Sequence, residues 1–148
     1  MRCVAPVALV AALALLPAAC GGGEDEPPAG EPSLADVAAG RVAPRDEVRL
    51  TGRGYPMGEA GFVLAAGEAA VFVDAAPSEA LKVEPGERLE VTGRVRRQRG
   101  GTAVQIESAL EGDDVAGLQQ PVLRDALERA PVGRGRPYVE PTGIRGEG

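Results

Sequence analysis

Side chains that could perform acid-base or nucleophilic chemistry are scarce in this sequence of 148 residues. It contains no His, its two Cys are Cys3 and Cys20, and its only Lys is Lys82. Catalysis near neutral pH needs a base or an activated nucleophile. Carboxylates cluster at positions 24–26 and 113–114, in stretches typical of linkers, where solvated charge is the expected role. We therefore expect a protein that is not an enzyme and that binds no metal or cofactor.

One local concentration of positive charge stands out against this background. It consists of Arg94, Arg96, Arg97 and Arg99. Guanidinium groups bind phosphates and pair with carboxylates, but the whole chain has a net charge of −6 and offers no general attraction for a polyanion. The arginines could equally form a solvated strand face that pairs with Glu87, Glu90 and Glu107.

The first twenty residues have the layout of a secretory signal peptide. Arg2 precedes an apolar run from Val4 to Leu16, and Pro17-Ala18-Ala19-Cys20 follows. The apolar run is too short to span a bilayer comfortably. We expect residues 1–19 to be removed from the mature protein.

The end of this segment resembles the lipobox of bacterial lipoproteins. Pro17 departs from that pattern, which usually has Leu there. The resemblance implies that Cys20 carries acyl chains of the palmitate type and anchors the protein to the outer face of the cell membrane, since two acyl chains suffice for stable attachment. Residues 20–32, acidic and rich in Pro and Gly, would then be a flexible, disordered tether. The mature chain would have no free thiol.

The folded part, which we place at residues 33–140, alternates strand and turn patterns after a short helix. Ser33 is a helix N-cap, and a helix over 34–39 would turn Leu34 and Val37 inward. Alternating apolar residues predict strands over 46–54 and 87–98, and two apolar runs predict a hairpin of 62–65 with 70–74. In the second long strand Leu89, Val91, Gly93 and Val95 would point inward.

The last third of the chain leaves two alternatives open. Residues 102–110 alternate as a fifth strand would, but Thr102 and Gln105 also match the capping box of a helix. In the helical case the closing strand would be residues 136–140. Residues 121–130 predict a helix that begins with Pro121, and residues 141–148 predict a frayed tail.

This order of elements resembles an OB-fold, on the residues 61–64 and 85–95, and the chain is similar to small envelope lipoproteins of actinobacteria. The resemblance implies a mainly β fold, a small five-stranded barrel with short flanking helices. It also explains why Thr-Gly-Arg occurs at 51–53 and again at 92–94, because the first and fourth strands of such a barrel pair antiparallel. Gly52 and Gly93 would permit the sharp bends of a small barrel.

A binding or scaffold role in the cell envelope is the function that these features favour. The expected ligand surface combines the four arginines with Tyr55, Met57, Phe62 and Phe72. Its partner would be another envelope protein or a cell-wall polymer. The alternative is an extracellular nucleic-acid-binding protein that uses Arg94 to Arg99. The acidic total and the shortage of stacking aromatics disfavour it.

Overall fold

A closed barrel of five strands is the centre of the molecule. The computed structural model describes residues 30–111, 125–126 and 128–147, and its strands follow one another around the barrel in the order β1-β2-β3-β5-β4. The strands are β1 (Glu47–Pro56), β2 (Phe62–Ala66), β3 (Ala69–Val73), β4 (Glu87–Arg97) and β5 (Pro137–Gly146). The helices are α1 (Leu34–Ala38), α2 (Pro77–Ala80) and α3 (Gly100–Glu111), with a single 3-10 turn at Gly58–Ala60. The predicted mainly β, five-stranded barrel with short helices is confirmed.

The first helix forms where its capping residues predicted it. The Ser33 hydroxyl accepts a hydrogen bond from the backbone N–H of Asp36, and the Asp36 carboxylate in turn accepts from the backbone N–H of Ser33. This reciprocal capping satisfies donors that the start of a helix leaves free. Leu34 and Val37 are buried as expected, so α1 belongs to the core of the barrel.

The repeated Thr-Gly-Arg phrase lies on neighbouring antiparallel strands, as predicted. β1 pairs with β4 over eight consecutive residue pairs from Glu47↔Arg94 to Gly54↔Glu87. The two copies are related by a local twofold, because Val48 lies opposite Gly93 and Leu89 lies opposite Gly52. Each glycine therefore faces a large aliphatic residue of the other copy.

The predicted hairpin connects β2 and β3 through a two-residue turn. Ala66 pairs with Ala69, and Gly67 in the turn has φ of 57°. Positive φ is what the common two-residue hairpin turns require at this position, and Gly adopts it without strain. Both strands are almost fully buried.

The two alternatives for the last third of the chain are resolved in favour of the helix. Residues 100–111 form α3, and β5 closes the barrel by pairing antiparallel with β4 and, at Val73↔Val139, parallel with β3. The predicted tail is wrong for residues 141–146, because β5 continues through Gly146. Ile144 pairs with Val91 and packs against the core, which holds this end of the strand in place.

The barrel interior is aliphatic, as the shortage of aromatic residues requires. Leu50, Phe62, Leu64, Leu89 and Val91 are among its fully buried side chains. Residues predicted to point inward on β4, including Gly93 and Val95, are buried. The alternation of the two long strands thus specifies which of their faces meets the core.

Several sequence predictions fall outside the described residues. They are the signal peptide at 1–19, Cys20, most of the tether at 20–32, the carboxylates at 113–114 and the first four residues of the helix at 121–130. Of that helix, residues 125, 126, 128 and 129 are described and helical. None of the described helices has both the length and the apolar character needed to cross a bilayer.

Candidate binding surface

The uncharged residues of the predicted ligand surface lie in apolar clusters. Phe62 is part of the barrel interior. Tyr55, Met57 and Phe72 are 5%, 2% and 2% exposed, on the outer side of the barrel wall. This corrects the expectation that these four side chains present themselves to a ligand.

A second apolar cluster accounts for their burial. It covers the outer face of β2 and β3 and is lined by Tyr55, Met57, Val63, Ala65, Ala70 and Phe72. Ala126 and Ala130 pack on these side chains, with Val132 and Tyr138 at the border. The chain itself therefore occupies the face of strands two and three, which OB-folds commonly use for ligands.

The four arginines that were expected to form one ligand surface differ in their partners and in their exposure. The guanidinium of Arg97 donates to the carbonyl oxygens of Gly40 and Val42, each at 3.2 Å, and so ties the segment after α1 to the barrel. Arg96 Nε lies 2.6 Å from Glu140 Oε2. Arg94 and Arg99 are exposed. Arg96 thus pairs with Glu140 rather than with the carboxylates that the sequence suggested.

Arg94 lies at the centre of an exposed surface formed by the outer sides of β1, β4 and β5, which we call the charged face. In the register of the three strands, Arg94 stands between Glu47 of β1 and Glu140 of β5. The remaining exposed or half-exposed members are Arg49, Thr51, Arg53, Arg88, Glu90, Thr92, Arg96 and Arg145.

The charged face is mainly basic, and carboxylates lie among its arginines; Arg53 and Arg88 are opposite each other in the β1–β4 register. Glu90 pairs with Arg145 in the β4–β5 register, and Arg88 forms an ion pair with Glu147 at 2.6 Å. Cross-strand neighbours of opposite charge stabilise a sheet modestly. Among the described residues, Arg94 and Arg49 make no ion pair within 4 Å, so both guanidinium groups remain able to bind a partner.

The charged face meets the second cluster at Tyr138. Burial raises the pKa of its hydroxyl, and the nearby carboxylates of Asp74 and Glu140 add to the rise. Desolvation, with Glu140 contributing, also raises the pKa of Asp74. In the described part of the chain, no three His, Cys, Asp or Glu residues are grouped in a way that could hold a metal ion.

Gly52 and Gly93 shape the strands that carry this face. A Cβ at Gly52 would lie 2.7 Å from the carbonyl oxygen of Ala65, just where β1 begins to pair with β2. A Cβ at Gly93 would collide with the Glu140 carbonyl oxygen and lie 2.9 Å from Pro141 Cα. The ladder shifts register at Gly93 because β5 has the extra residue Thr142 there. Both glycines allow close backbone approach of the neighbouring strand.

Sequence reasoning missed Arg49, Glu140 and Arg145 as members of the charged face. The alternation of β1 predicts that Arg49 lies on the outer side. Glu140 and Arg145 lie in β5, and whether that segment closes the barrel depended on whether residues 102–110 form a strand or a helix. The burial of Val63 and Ala65 did have a sequence pattern, because an unbroken apolar run at 62–66 is typical of a strand that is covered on both faces.

No protein family and no curated protein matches the chain in sequence. Several solved structures are similar to it, among them the following two. The hypothetical protein YgiW from E. coli has a TM-score of 0.47 at 13% identity, over 86% of this chain and 100% of that chain. The S. pombe Stn1-Ten1 complex has a TM-score of 0.44 at 16% identity, over 84% of this chain and 79% of that chain. Similarity at this level carries no conclusion about a ligand.

Proposed function

We propose that this protein is a non-enzymatic binding module on the outer face of the bacterial cell membrane, attached through acylated Cys20. Its partner is another protein of the cell envelope, which it contacts with the charged face. The observation that carries the proposal is the position of Arg94 and Arg49, exposed and without ion pairs among the described residues, on a surface built from three paired strands.

The presence of both signs of charge on this face supports a protein partner. Its six arginines outnumber its carboxylates, but Glu47, Glu90 and Glu140 lie among them, and a continuous polyanion on this surface would meet repulsion at each of these three. A protein surface can present both signs in a complementary pattern, which favours the correct register and disfavours wrong partners. A cell-wall polymer with only one sign of charge fits less well.

Nucleic acid is disfavoured for an additional reason. Binding of single strands relies on bases that stack on exposed aromatic side chains as well as on charge. Tyr55, Phe62 and Phe72 are buried, Tyr138 is half-buried, and Arg96 and Arg97 are engaged with Glu140 and with backbone carbonyls. Among the described residues this leaves one partly exposed ring for stacking, and it leaves Arg94 and Arg99 of the four arginines that this alternative uses.

Site-specific photo-crosslinking in intact membranes tests the proposed partner. A photoreactive residue at Thr92, on the charged face opposite Arg49, should yield a reproducible covalent product with one envelope protein, whereas the same residue at Glu79 on α2 should not. In the protein labelled at position 92, the substitutions Arg49→Glu plus Arg94→Glu should reduce the product at least about tenfold, the effect of losing about 1.4 kcal/mol of binding free energy. Arg134→Glu, an exposed arginine outside the charged face, serves as the matched control. Equal labelling from positions 92 and 79, or labelling of polymer only, would contradict a protein partner at this face.

The proposed anchor is tested separately. Cys20→Ser should release the protein from membranes into the soluble fraction, because the thiol is the acylation site. Cys3→Ser is the control, since Cys3 would leave with the signal peptide. Retention of the Cys20→Ser protein in the membrane would overturn the lipoprotein assignment.

A further inference from the structure

One side of β5 has no strand beside it over most of its length. β4 pairs with β5 from Pro137 to Gly146, but β3 reaches only as far as Val139, where the two strands form a single parallel pair. In the described part of the chain, no strand pairs with this side of β5 beyond Val139. Residues 140–146 therefore form a free strand edge, which we call the β5 edge.

The hydrogen bonds at its two ends show which backbone groups point to the free side. Successive residues of an antiparallel strand direct their N–H and C=O alternately toward and away from the neighbouring strand. The Val139 carbonyl is bonded on the β3 side, whereas the Glu147 N–H donates to β4. Alternation from these two bonds places the carbonyl of Pro141 and both backbone groups of Ile144 on the β5 edge. Free groups of this kind are a template for another strand.

The side chains of the β5 edge make this template complementary to itself. Glu140 and Arg145 both lie on the charged face, opposite Arg94 and Glu90 of β4. They are an odd number of positions apart, which in a regular strand would put them on opposite faces, but the extra residue Thr142 returns them to the same face. When two β5 strands pair antiparallel, Glu140 of each copy can therefore lie opposite Arg145 of the other.

The other residues fit the same register. Pro141 lies opposite Ile144, so each Ile144 N–H can donate to a Pro141 carbonyl, and the N–H that proline lacks is not used. Thr142 lies opposite Gly143, where a Cβ would meet no atom within 4 Å, so the centre of the pairing has room. Arg145 makes no ion pair within 4 Å among the described residues and is able to bind a carboxylate of a second copy.

We propose that the β5 edge joins two copies of this chain in a twofold dimer, with Glu140 of each copy opposite Arg145 of the other. Cross-strand pairs of opposite charge stabilise such a sheet, and a twofold axis makes both pairs at once. The contact is smaller than a standard interface, so the dimer is weak. Because the strands meet edge to edge, Arg49 and Arg94 stay uncovered, and the dimer does not rest on the proposed function.

Disulfide formation between two different variants tests the register in membranes. Residues opposite each other in a pair without mutual hydrogen bonds have Cα atoms about 4.5 Å apart, which a disulfide can span. Full-length Glu140→Cys and Arg145→Cys proteins produced together should give a disulfide-linked dimer on mild oxidation. Neither variant alone should do so, and Glu79→Cys on α2 replaces Glu140→Cys in the control mixture. Equal dimer from the single variants or from the control mixture, or no dimer from the first mixture, would overturn the proposal.

Charge exchange tests the same pairing without a covalent bond. Arg145→Glu and Glu140→Arg each bring like charges together, so each should raise the dissociation constant of the full-length protein in detergent at least about tenfold. An equimolar mixture of the two restores both attractive pairs and should associate as the wild type does, whereas Arg134→Glu should have no effect. The ion pair of Glu140 with Arg96 is exposed, and its loss should lower the melting temperature little. A mixture that associates no better than its components would refute the register.

Hydrogen exchange shows whether the edge is free in the single molecule. The Ile144 amide should be protected only as the protein concentration rises, because its acceptor belongs to the second copy. The Gly146 amide is the internal control: it also points away from β4, but the residue opposite it would be Val139, which β3 already holds. Protection of Ile144 that does not depend on concentration would show that its own chain covers the edge, and the dimer would be rejected.

Discussion

At the scale of single residues, Gly93 links the repeated phrase to the closure of the barrel. It stands at the register shift between β4 and β5, where the backbone of Glu140 and Pro141 passes closest to β4. The space that a side chain would need is filled by main-chain atoms, which cannot move aside as a flexible side chain could. The residue type is therefore dictated by packing at this position.

Gly93→Ala should lower the free energy of unfolding by about 1–3 kcal/mol, the usual cost of an inserted group in a filled site. Gly143→Ala on the neighbouring strand is the control, because a Cβ there meets no atom within 4 Å. Urea denaturation of both variants checks the difference. Equal stability of the two proteins would mean that β5 can move away from residue 93 at little cost in free energy.

The hydroxyl of Tyr138 should report on its carboxylate neighbours. Its pKa is raised above the ordinary value of 10.0 by burial, Asp74 and Glu140. Because the pKa in the folded state exceeds the unfolded value, this contribution to stability is complete below pH 10.0 and is lost as the pH rises through the folded pKa. Asp74→Asn should lower the pKa of Tyr138 in an ultraviolet absorbance titration, with Tyr138→Phe to assign the transition. Asp46→Asn is the control, and an identical titration in the Asp74 variant would refute the coupling.

At the scale of elements, the sequence predicts strands well where one face is buried and the other is exposed to solvent. The period predicts strands at 46–54 and 87–98; β4 is Glu87–Arg97, whereas β1 continues through Pro56. The antiparallel pairing of the two strands was implied by the resemblance to an OB-fold and not by the period. The same reasoning misplaced Tyr55 and Phe72, because burial of the outer face of β2 and β3 depends on residues more than fifty positions further along. Alternation within a strand contains no information about a distant segment that covers it.

Gln98 is the polar residue that joins β4 to the loop before β5. It is 1% exposed, and its side chain bonds Pro131, Gly133 and, at 3.4 Å, Pro137. Gln98→Leu should reduce stability by about 2 kcal/mol, because it leaves buried backbone groups without partners. Arg99 is the exposed neighbour of Gln98, and Arg99→Ala should change stability by less than about 0.5 kcal/mol. Thermal unfolding distinguishes the two, and a stable Gln98→Leu protein would show that the loop finds other partners.

The capping of α1 makes a second prediction at this scale. Ser33→Ala removes the hydroxyl that caps the helix and should cost about 1 kcal/mol of stability. The same change removes the hydroxyl that donates to the Asp36 carboxylate, the largest cause of the lowering of its pKa below 3.8, and leaves the bonds from the backbone N–H of residue 33 and from Arg41. Since the folded pKa is the lower one, that stabilisation is present above pH 3.8 and is lost as the pH falls. Ser78→Ala in α2, where Ser78 is not the cap, is the control for chemical denaturation at neutral and acidic pH.

At the scale of the whole molecule, the structure differs from the predicted tail at 141–148. A frayed tail could be deleted without effect, but residues 143–146 pair with β4 and Ile144 packs on the core. Termination after Pro141 should lower the melting temperature by about 10–20 °C, the equivalent of a few kcal/mol in a domain of this size. Removal of Gly148 alone is the control. An unchanged melting temperature after the longer deletion would restore the tail prediction.

The pairing of β5 also has a consequence for the order in which the chain can fold. The pairings that β4 makes with its two neighbours are remote in sequence: Glu47 pairs with Arg94, and Arg97 pairs with Pro137. The chain loses conformational entropy when it closes loops of this length, and it does so before the strand pairs form. Folding is therefore slower than in helical proteins of similar size. Until residues 137–146 have been synthesised, β4 lacks one of its neighbours and the barrel stays open. We expect the nascent chain to remain unfolded until translation passes β5, a state in which a polypeptide can still be threaded through a membrane pore.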